Sequence, residues 1–307
     1  MQHLRVNKPE NKNTLIGFGF ALLATALWSG NFVVASGLSD SIQPTTLAFY
    51  RWLVATLVFT PFAFKSVKRD WATIRASFSY LLLTAVLGVS IFNTLIYFAG
   101  QTSTAVNLSL IALTFPIFIL LISAIVFKEL ITSVRVLGII IVLMGVMLII
   151  SKGNPAELLN LKFNTGDPLM LLAAFTFAIH SLLVKNKPKK ISIISLQYTT
   201  FFIGLIILLP FYLFSKDSIV GFEPEFTVIG AILYIGICSS LISFVSWNKA
   251  IIKIGASSAG MIYFLMPLFS GLVAWVLLDE KLKYYHLISG IMIVTGILIS
   301  NHQARRV

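Results

Sequence analysis

The sequence FPIFILLISAIVFKE, residues 115–129, returns in altered form as MPLFSGLVAWVLLDE, residues 266–280. Both stretches place a proline at the start of an apolar run and a glutamate at its end. Pro116 and Pro267 are 151 residues apart, and the same interval separates the two terminal glutamates. Matching residues at one long interval predict that the chain consists of two related halves.

The composition predicts a membrane protein. The chain contains 58% hydrophobic and only 11% charged residues, and its mean hydropathy is +0.94, far from the balance of a soluble domain. A bilayer core about 30 Å thick needs roughly 20 mainly apolar residues for each helical crossing. We therefore predict an all-α protein that spans a lipid bilayer ten times, at residues 14–36, 42–64, 74–98, 103–127, 134–150, 168–184, 193–214, 226–248, 258–278 and 284–300.

The basic residues predict the orientation of these spans. The net charge of +12 comes from residues scattered among short connections, so it does not indicate a nucleic-acid partner. Most of them, such as Lys65, Lys68 and Arg69, lie in connections on the side of the N-terminus. The positive-inside rule then predicts a multi-pass protein of the cytoplasmic (inner) membrane with both termini in the cytoplasm.

The two halves are predicted to be inverted relative to each other. Each contains five spans, an odd number, so the second half must enter the membrane in the opposite direction. We place the halves at residues 14–151 and 166–301, joined by a polar connector. Inverted repeats are typical of secondary transporters, whose substrate site lies between the repeats near the membrane midplane.

The two prolines are candidate gating or kink residues. A proline in a membrane helix bends it and frees a carbonyl that neighbouring helices or cavity water can satisfy. The alternative is a tolerated kink in a packed bundle. Glu129 and Glu280 lie just outside their spans, where we interpret them as turn residues instead of substrate contacts, because functional charges in membranes are the buried ones.

Six spans, the first, third, fourth, sixth, eighth and ninth, carry polar or aromatic side chains at helical spacing. For single serines and threonines, hydrogen bonds between helices are the alternative use. The larger side chains are stronger candidates for a binding cavity. The candidate substrate-binding residues are Trp28, Asn31, Asn93, Tyr97, Asn107, His180, Ser243, Trp247 and Tyr263.

Two titratable residues within the spans need separate interpretations. His180 lies deep in the sixth span and is a candidate for proton coupling, since its unperturbed pKa is about 6.5, although a buried histidine can also be a packing residue. Arg51 is expected to extend towards the membrane surface or to pair with Asp40 in preference to binding substrate.

The fifth and tenth spans are almost wholly aliphatic with glycines at Gly138, Gly145, Gly290 and Gly296. Glycines allow helix backbones to approach closely. We expect these faces to serve either helix packing or a homodimer contact, and not a binding site.

At this level of detail the chain resembles the drug/metabolite transporter superfamily, specifically proteins with two EamA-type domains. The resemblance implies ten helices, a central cavity lined by the six spans named above, and export of metabolites or amino acids by alternating access. The family's tryptophan in the sixth span is Phe177 here. The matching segments are ALWSGNFVVA (26–35), AFYRW (48–52), TFPIF (114–118), KELITS (128–133), GDPLMLLAAFTFAIHSLL (166–183) and GASSAGMIYFLMPLFSGLVAWVLLDEKL (255–282).

The polar and aromatic faces of the six spans suit a neutral or zwitterionic small molecule. A phosphorylated substrate would need several cationic side chains, and apart from Arg51 these faces contain none. We predict an exporter of neutral or zwitterionic metabolites, with amino acids as the leading class. The alternatives are a carrier of another metabolite or drug, a membrane-embedded enzyme and a channel-like facilitator. We predict no catalytic residues, no metal and no cofactor, because the sequence has no HExxH, P-loop or CxxC motif.

Overall fold

The structure is a computed structural model that describes residues 8–31, 34, 37–38, 41–159, 162–215, 225–278 and 283–302. These residues form helices and connections and contain no β-strand, which confirms the all-α prediction. The α-helices are α1 (Lys8–Trp28), α2 (Pro44–Ala76), α3 (Phe78–Ala85), α4 (Phe92–Gly100), α5 (Ala105–Ala112), α6 (Thr114–Phe127), α7 (Ser133–Ile150), α8 (Ala156–Leu159), α9 (Asp167–Lys185), α10 (Ile193–Leu213), α11 (Phe226–Leu233), α12 (Ser243–Ile254), α13 (Ala256–Tyr263), α14 (Met266–Leu278) and α15 (Tyr284–His302).

The outer surface of the bundle is apolar. Leu57, Phe62 and Ile125 expose 63%, 71% and 77% of their surface, and such side chains on the outside of helices require an apolar solvent. Within the described ranges, eight helical segments are long and apolar enough to cross a membrane by length and composition. These observations confirm an integral membrane protein. The first and ninth predicted spans correspond to α1 and to the pair α13 and α14.

Helices of the first half pack antiparallel against helices of the second half. Thr46 of α2 contacts Ser215, two residues beyond the end of α10, and Thr60 of α2 contacts Tyr198 of α10, with oxygen–oxygen distances of 3.2 Å in both cases. Residue numbers rise along α2 as they fall along α10, so the helices run in opposite directions. The same order holds for α1 with α12, for α4 with α9 and for α6 with α13.

The fifth and tenth spans, α7 and α15, form the most intimate of these antiparallel pairs. A Cβ atom on Gly138 would lie 2.6 Å from the Gly296 carbonyl oxygen, and one on Gly145 would lie 3.1 Å from the Ser289 carbonyl oxygen. Positions 138 and 289 are 151 residues apart, as are 145 and 296, so the contact is symmetric between the two halves. These glycines therefore serve packing within the chain. A homodimer through the same helices stays a prediction and would use their other faces.

Two spans contain π-helical segments that the sequence did not indicate. The third span changes to a π-helix at Val86–Ile91, and the eighth does so at Tyr234–Ile242. They occupy the third position in each half. A π-helical segment shifts carbonyls out of the regular hydrogen-bond ladder and is frequent at functional sites.

The fourth and ninth spans each contain a short break in the regular α-helical hydrogen bonding just before their proline, where the chain tightens into a 3₁₀-like turn and keeps right-handed helical dihedral angles. The fourth span is interrupted at Leu113, between α5 and α6, and the ninth at Phe264 and Leu265, between α13 and α14. Pro116 and Pro267 then lie in the first turn of the following helix, where a backbone N–H has no partner in the helix. The distortion thus lies on the N-terminal side of each proline.

Candidate functional site

Aromatic rings from several spans meet at the centre of the bundle. The Trp28 ring centroid lies 5.5 Å from those of Phe177 and Phe244, 5.3 Å from that of Trp247 and 6.1 Å from that of Tyr263. Such distances are typical of edge-on and tilted aromatic pairs. The centre is therefore a closed cluster of rings, which we call the central ring cluster.

A small cavity borders the central ring cluster. It is lined by Trp28, Asn31, Arg51, Phe92, Asn93, Ile96, Phe177 and Tyr263, and its volume is about 10 Å³. A single water needs roughly 10–15 Å³ measured in this way. The conformation is consequently closed around its centre, and no molecule larger than a water fits unless the rings and helices separate.

Arg51 is at the polar end of this central cavity, and only 1% of it is exposed. Its Nη1 donates to Asn31 Oδ1 at 2.8 Å and to the Tyr97 hydroxyl at 2.7 Å. Its Nε donates to Ser240 Oγ, and its Nη2 donates to the Ser239 carbonyl oxygen at 3.1 Å. The second π-helical segment supplies both of these last acceptors.

The expectation that Arg51 extends to the membrane surface is wrong. Its helix begins at Pro44, so Arg51 lies about two turns inside the span, and the acceptors of three other spans hold it inwards. Scales based on membrane insertion put the free-energy cost of burying a charged side chain within a membrane helix at about 2.5–3.5 kcal/mol. None of the carboxylates within the described ranges contacts Arg51; Asp40 lies outside those ranges.

Asn93 lines the same cavity. It is 1% exposed, and neither its Nδ2 nor its Oδ1 has a hydrogen-bond partner among the described residues. Buried amides are almost always hydrogen-bonded, and an unmade bond costs about 1–3 kcal/mol. Asn93 thus offers both a donor and an acceptor to whatever enters the cavity.

Phe177, at the position where the resemblance led us to expect a tryptophan, provides a stacking surface. Its ring is stacked on that of Phe92 at 4.2 Å, with an angle of 9° between the planes. Phe115 extends the cluster to the helix breaks, because its ring lies 5.0 Å from that of Tyr263. The breaks of the fourth and ninth spans therefore meet beside the central cavity.

Asn107 lies apart from the other candidates and is not among the residues that line the central cavity. Its Nδ2 donates to the Lys162 carbonyl oxygen at 2.9 Å and to Asp167 Oδ2 at 3.2 Å. It lies one turn into α5, where it joins the fourth span to the connector and the start of α9. The sequence spacing placed Asn107 on a helix face but could not show how far along the helix the cavity extends.

His180, Ser243 and Trp247 lie behind the cavity lining. His180 is fully buried with Nδ1 3.1 Å from the Thr84 carbonyl oxygen, so Nδ1 carries the hydrogen. The Ser243 hydroxyl donates to the Cys238 carbonyl oxygen at 2.8 Å. Trp247 belongs to the central ring cluster, but its indole N–H donates to Ser181 Oγ at 3.1 Å.

A larger cavity of about 330 Å³ lies at the end of the bundle that the charge bias predicts to be cytoplasmic. Glu129, Arg135, Lys185 and Ser257 are among its lining residues, and we call it the inner vestibule. Glu129 forms an ion pair with Lys185, which joins the two halves. Helix α13 runs from Ser257 in the vestibule to Tyr263 at the centre, a distance of about 9 Å.

The residues at the centre of the bundle that were not among the candidate substrate-binding residues are Arg51 and several phenylalanines. Arg51 carried a usable signal, because an ionisable residue inside a membrane span indicates function by default. Phe92, Phe115 and Phe244 carried none, since the chain has 25 phenylalanines and many of them face lipid. Across the described residues, no cluster of three or more metal-ligating side chains is present.

The fold and the site together define a class, that of multi-pass helical membrane proteins with a closed, ring-lined centre between two antiparallel halves. Comparison with known proteins then gives the family. The EamA-like transporter family matches the chain twice, over residues 15–151 and 164–302. The chain belongs to the EamA-like transporter family.

Relatives and a solved structure agree with this assignment. An uncharacterized transporter of Archaeoglobus fulgidus is 30% identical over 281 residues, which cover 91% of this chain and 94% of the relative. The uncharacterized transporter YyaM of Bacillus subtilis is 25% identical over 287 residues, covering 91% and 92%. A solved crystal structure with 18% identity covers 96% of this chain and 98% of its own, with a TM-score of 0.73, which shows the shared fold.

Proposed function

We propose that this chain is a secondary transporter that exports small neutral or zwitterionic metabolites, with amino acids as the leading class, across the cytoplasmic membrane by alternating access. The observation that carries this proposal is that the short helix breaks of the fourth and ninth spans meet beside a closed central cavity. The breaks lie at equivalent positions of the two halves, and the rings of Phe115 and Tyr263 connect them. Alternating-access transporters commonly have interrupted helices at the repeat interface, and the turns of one and two residues seen here are a milder form of that feature.

The chemistry of the centre favours the proposed substrate class. Aromatic rings can enclose an apolar or aromatic side chain, while Asn31 and Asn93 present amides. Arg51 is the one cation among the described lining residues. A phosphorylated dianion would call for several such groups.

The inner vestibule supports a route to the centre from one side. Its lining extends along α13 as far as Ser258, and the helix continues from there to Tyr263 beside the central cavity. In the proposed cycle, the ion pair between Glu129 and Lys185 breaks and re-forms as the two halves move. His180 remains the candidate for proton coupling, through its Nε2, which has no partner among the described residues.

The test is counterflow in proteoliposomes that contain the purified protein. Vesicles loaded with an unlabelled amino acid should take up the labelled compound to a transient excess, with a rate that saturates. Alanine in place of Tyr263 should reduce this uptake while the protein stays in the membrane. Flux that never saturates would favour a channel, and the absence of counterflow with every amino acid would refute the amino-acid assignment.

A pH gradient across the same vesicles tests the coupling. Transport that depends on the gradient in the wild type and loses this dependence in His180→Gln would support a proton-coupled cycle. Indifference of the wild-type rate to the gradient would remove His180 from the mechanism.

A further inference from the structure

The central cavity combines a buried charge with an unsatisfied amide. Arg51 is 1% exposed and Asn93 is 1% exposed, and both line the cavity. Each buried group requires a polar or charged partner to offset its removal from water. Among the described residues neither an anion for the guanidinium nor a partner for the amide is present. A ligand that carries both kinds of group would satisfy them together.

The guanidinium retains capacity for a ligand. Of its five N–H groups, four point to Asn31, Tyr97, Ser240 and the Ser239 carbonyl, and one N–H of Nη2 remains. All four acceptors are neutral. A carboxylate forms stronger hydrogen bonds to arginine than a neutral acceptor does, so it can take the remaining N–H and displace Asn31 Oδ1, which also lines the cavity.

We propose that Arg51 binds the carboxylate of a zwitterionic substrate in the central cavity, and that Asn93 and the neighbouring rings receive its ammonium end. This inference rests on the proposed transport function and narrows its substrate class. Asn93 Oδ1 is an acceptor for an ammonium N–H, and the faces of Trp28 and Tyr263 can attract a cation. A free amine or a neutral amide would leave Arg51 without its anion.

The decisive variant is Asn31→Asp, because it keeps the oxygen that Arg51 already contacts and replaces only the amide NH2 group by a second, negatively charged carboxylate oxygen. The amide oxygen lies 2.8 Å from Nη1, so an aspartate of the same shape supplies a built-in carboxylate for Arg51. We expect the variant to fold with an unchanged or higher melting temperature and to bind amino acids about tenfold more weakly or worse. Asn13→Asp adds the same charge on the exposed part of α1, next to Lys253, and should leave binding unchanged.

The experiment measures the melting temperature of the purified full-length protein in the presence of each of the twenty amino acids. Each amino acid is compared with the corresponding amine, which has the same structure without the α-carboxylate. At least one amino acid should stabilise the wild type, its amine should not, and Arg51→Lys should weaken its binding about tenfold or more. If no amino acid binds, if an amine binds as well as its parent, or if Asn31→Asp binds normally, the proposal is overturned.

Asp40 provides one further check, since it lies outside the described residues. Asp40→Asn should leave amino-acid affinity unchanged. If Asp40→Asn instead lowers the stability, and adding Arg51→Gln to it lowers the stability no further, Asp40 is the partner of Arg51 and the proposal is overturned. The binding and counterflow measurements test different proposals. If amino acids bind through Arg51 but no counterflow occurs, the proposed transport function is wrong. If counterflow occurs but does not depend on the substrate carboxylate, the proposed role of Arg51 is wrong.

Discussion

Replacing Gly296 by alanine should destabilise the chain, while the same change at Gly290, six residues earlier on α15, should not. A Cβ on Gly296 would lie 2.5 Å from the Gly138 carbonyl oxygen and 2.7 Å from Val142 Cγ2. A Cβ on Gly290 would meet only Leu268 Cδ2 at 3.7 Å, an ordinary contact. Both substitutions remove a glycine from the same helix, so they share the intrinsic effect of that change.

The size of the expected stability loss in Gly296→Ala follows from the distances between the two helices. Relieving the contact at position 296 requires α7 and α15 to separate by roughly 1 Å, and forced overpacking of this kind costs about 1–3 kcal/mol. Alanine in place of glycine returns up to about 1 kcal/mol through helix propensity. We expect Gly296→Ala to be destabilised by about 1–2 kcal/mol and Gly290→Ala to be neutral or slightly stabilised.

The assay is reversible unfolding of the purified variants in mixed detergent micelles, followed by tryptophan fluorescence, with molar mass measured by light scattering. A shift of the unfolding midpoint for Gly296→Ala alone, at constant molar mass, supports packing within the chain. Equal stability of the two variants would refute the reasoning. Dissociation of a dimer without loss of stability would instead assign the glycines to a subunit contact.

Three further changes test the site and its surroundings. Asn93→Leu should leave stability within about 1 kcal/mol of the wild type or raise it, because an unpaired buried amide is lost, yet it should reduce counterflow. The double variant Glu129→Lys with Lys185→Glu exchanges the two charges and should restore the transport that either single variant loses. Its effect on the free energy of unfolding should stay below about 1 kcal/mol, since both side chains are about one-third exposed. Gly88→Ala should destabilise the fold by about 1–3 kcal/mol, because its Cβ would lie 2.1 Å from His180 Nδ1.

Each of these three predictions has a control variant or a result that would contradict it. Gly230→Ala is the control for Gly88, since no atom outside its own helix and chain neighbours lies within 4 Å of the added Cβ; equal melting temperatures for the two variants would contradict the packing argument. Full transport by Asn93→Leu would remove the amide from the site. Failure of the charge exchange to rescue either single variant would show that the ion pair between Glu129 and Lys185 has no role in the cycle.

Local patterns were sufficient for the helical architecture but not for helix details. The helix α7 spans Ser133–Ile150, one residue longer than its prediction, because apolar length alone sets a simple span. The second span was predicted to end at residue 64, yet α2 continues to Ala76. Polar residues beyond the bilayer can extend a helix without any change in hydropathy, so a composition window cannot detect its end.

The structure brings some of the candidate site residues together and separates others, and their role in substrate binding stays a prediction. Trp28, Asn31 and Tyr263 do meet at one cavity, because residues on one face of each inward helix converge at the bundle axis. Asn107 was on a suitable face but at the wrong depth. Arg51 was dismissed because a long side chain near a helix end usually reaches the surface; its actual direction is set by acceptors on three other spans.

The sequence by itself indicated the apolar solvent, the approximate places of the crossings and the duplication, because apolar length and a repeated interval are properties of the linear chain. The tertiary structure alone decided which residues share the centre. It showed the two π-helical segments, the pairing of Gly138 with Gly296 and the inward direction of Arg51. Each depends on contacts between residues far apart in the chain, whose mutual distances are fixed only when the two halves pack together.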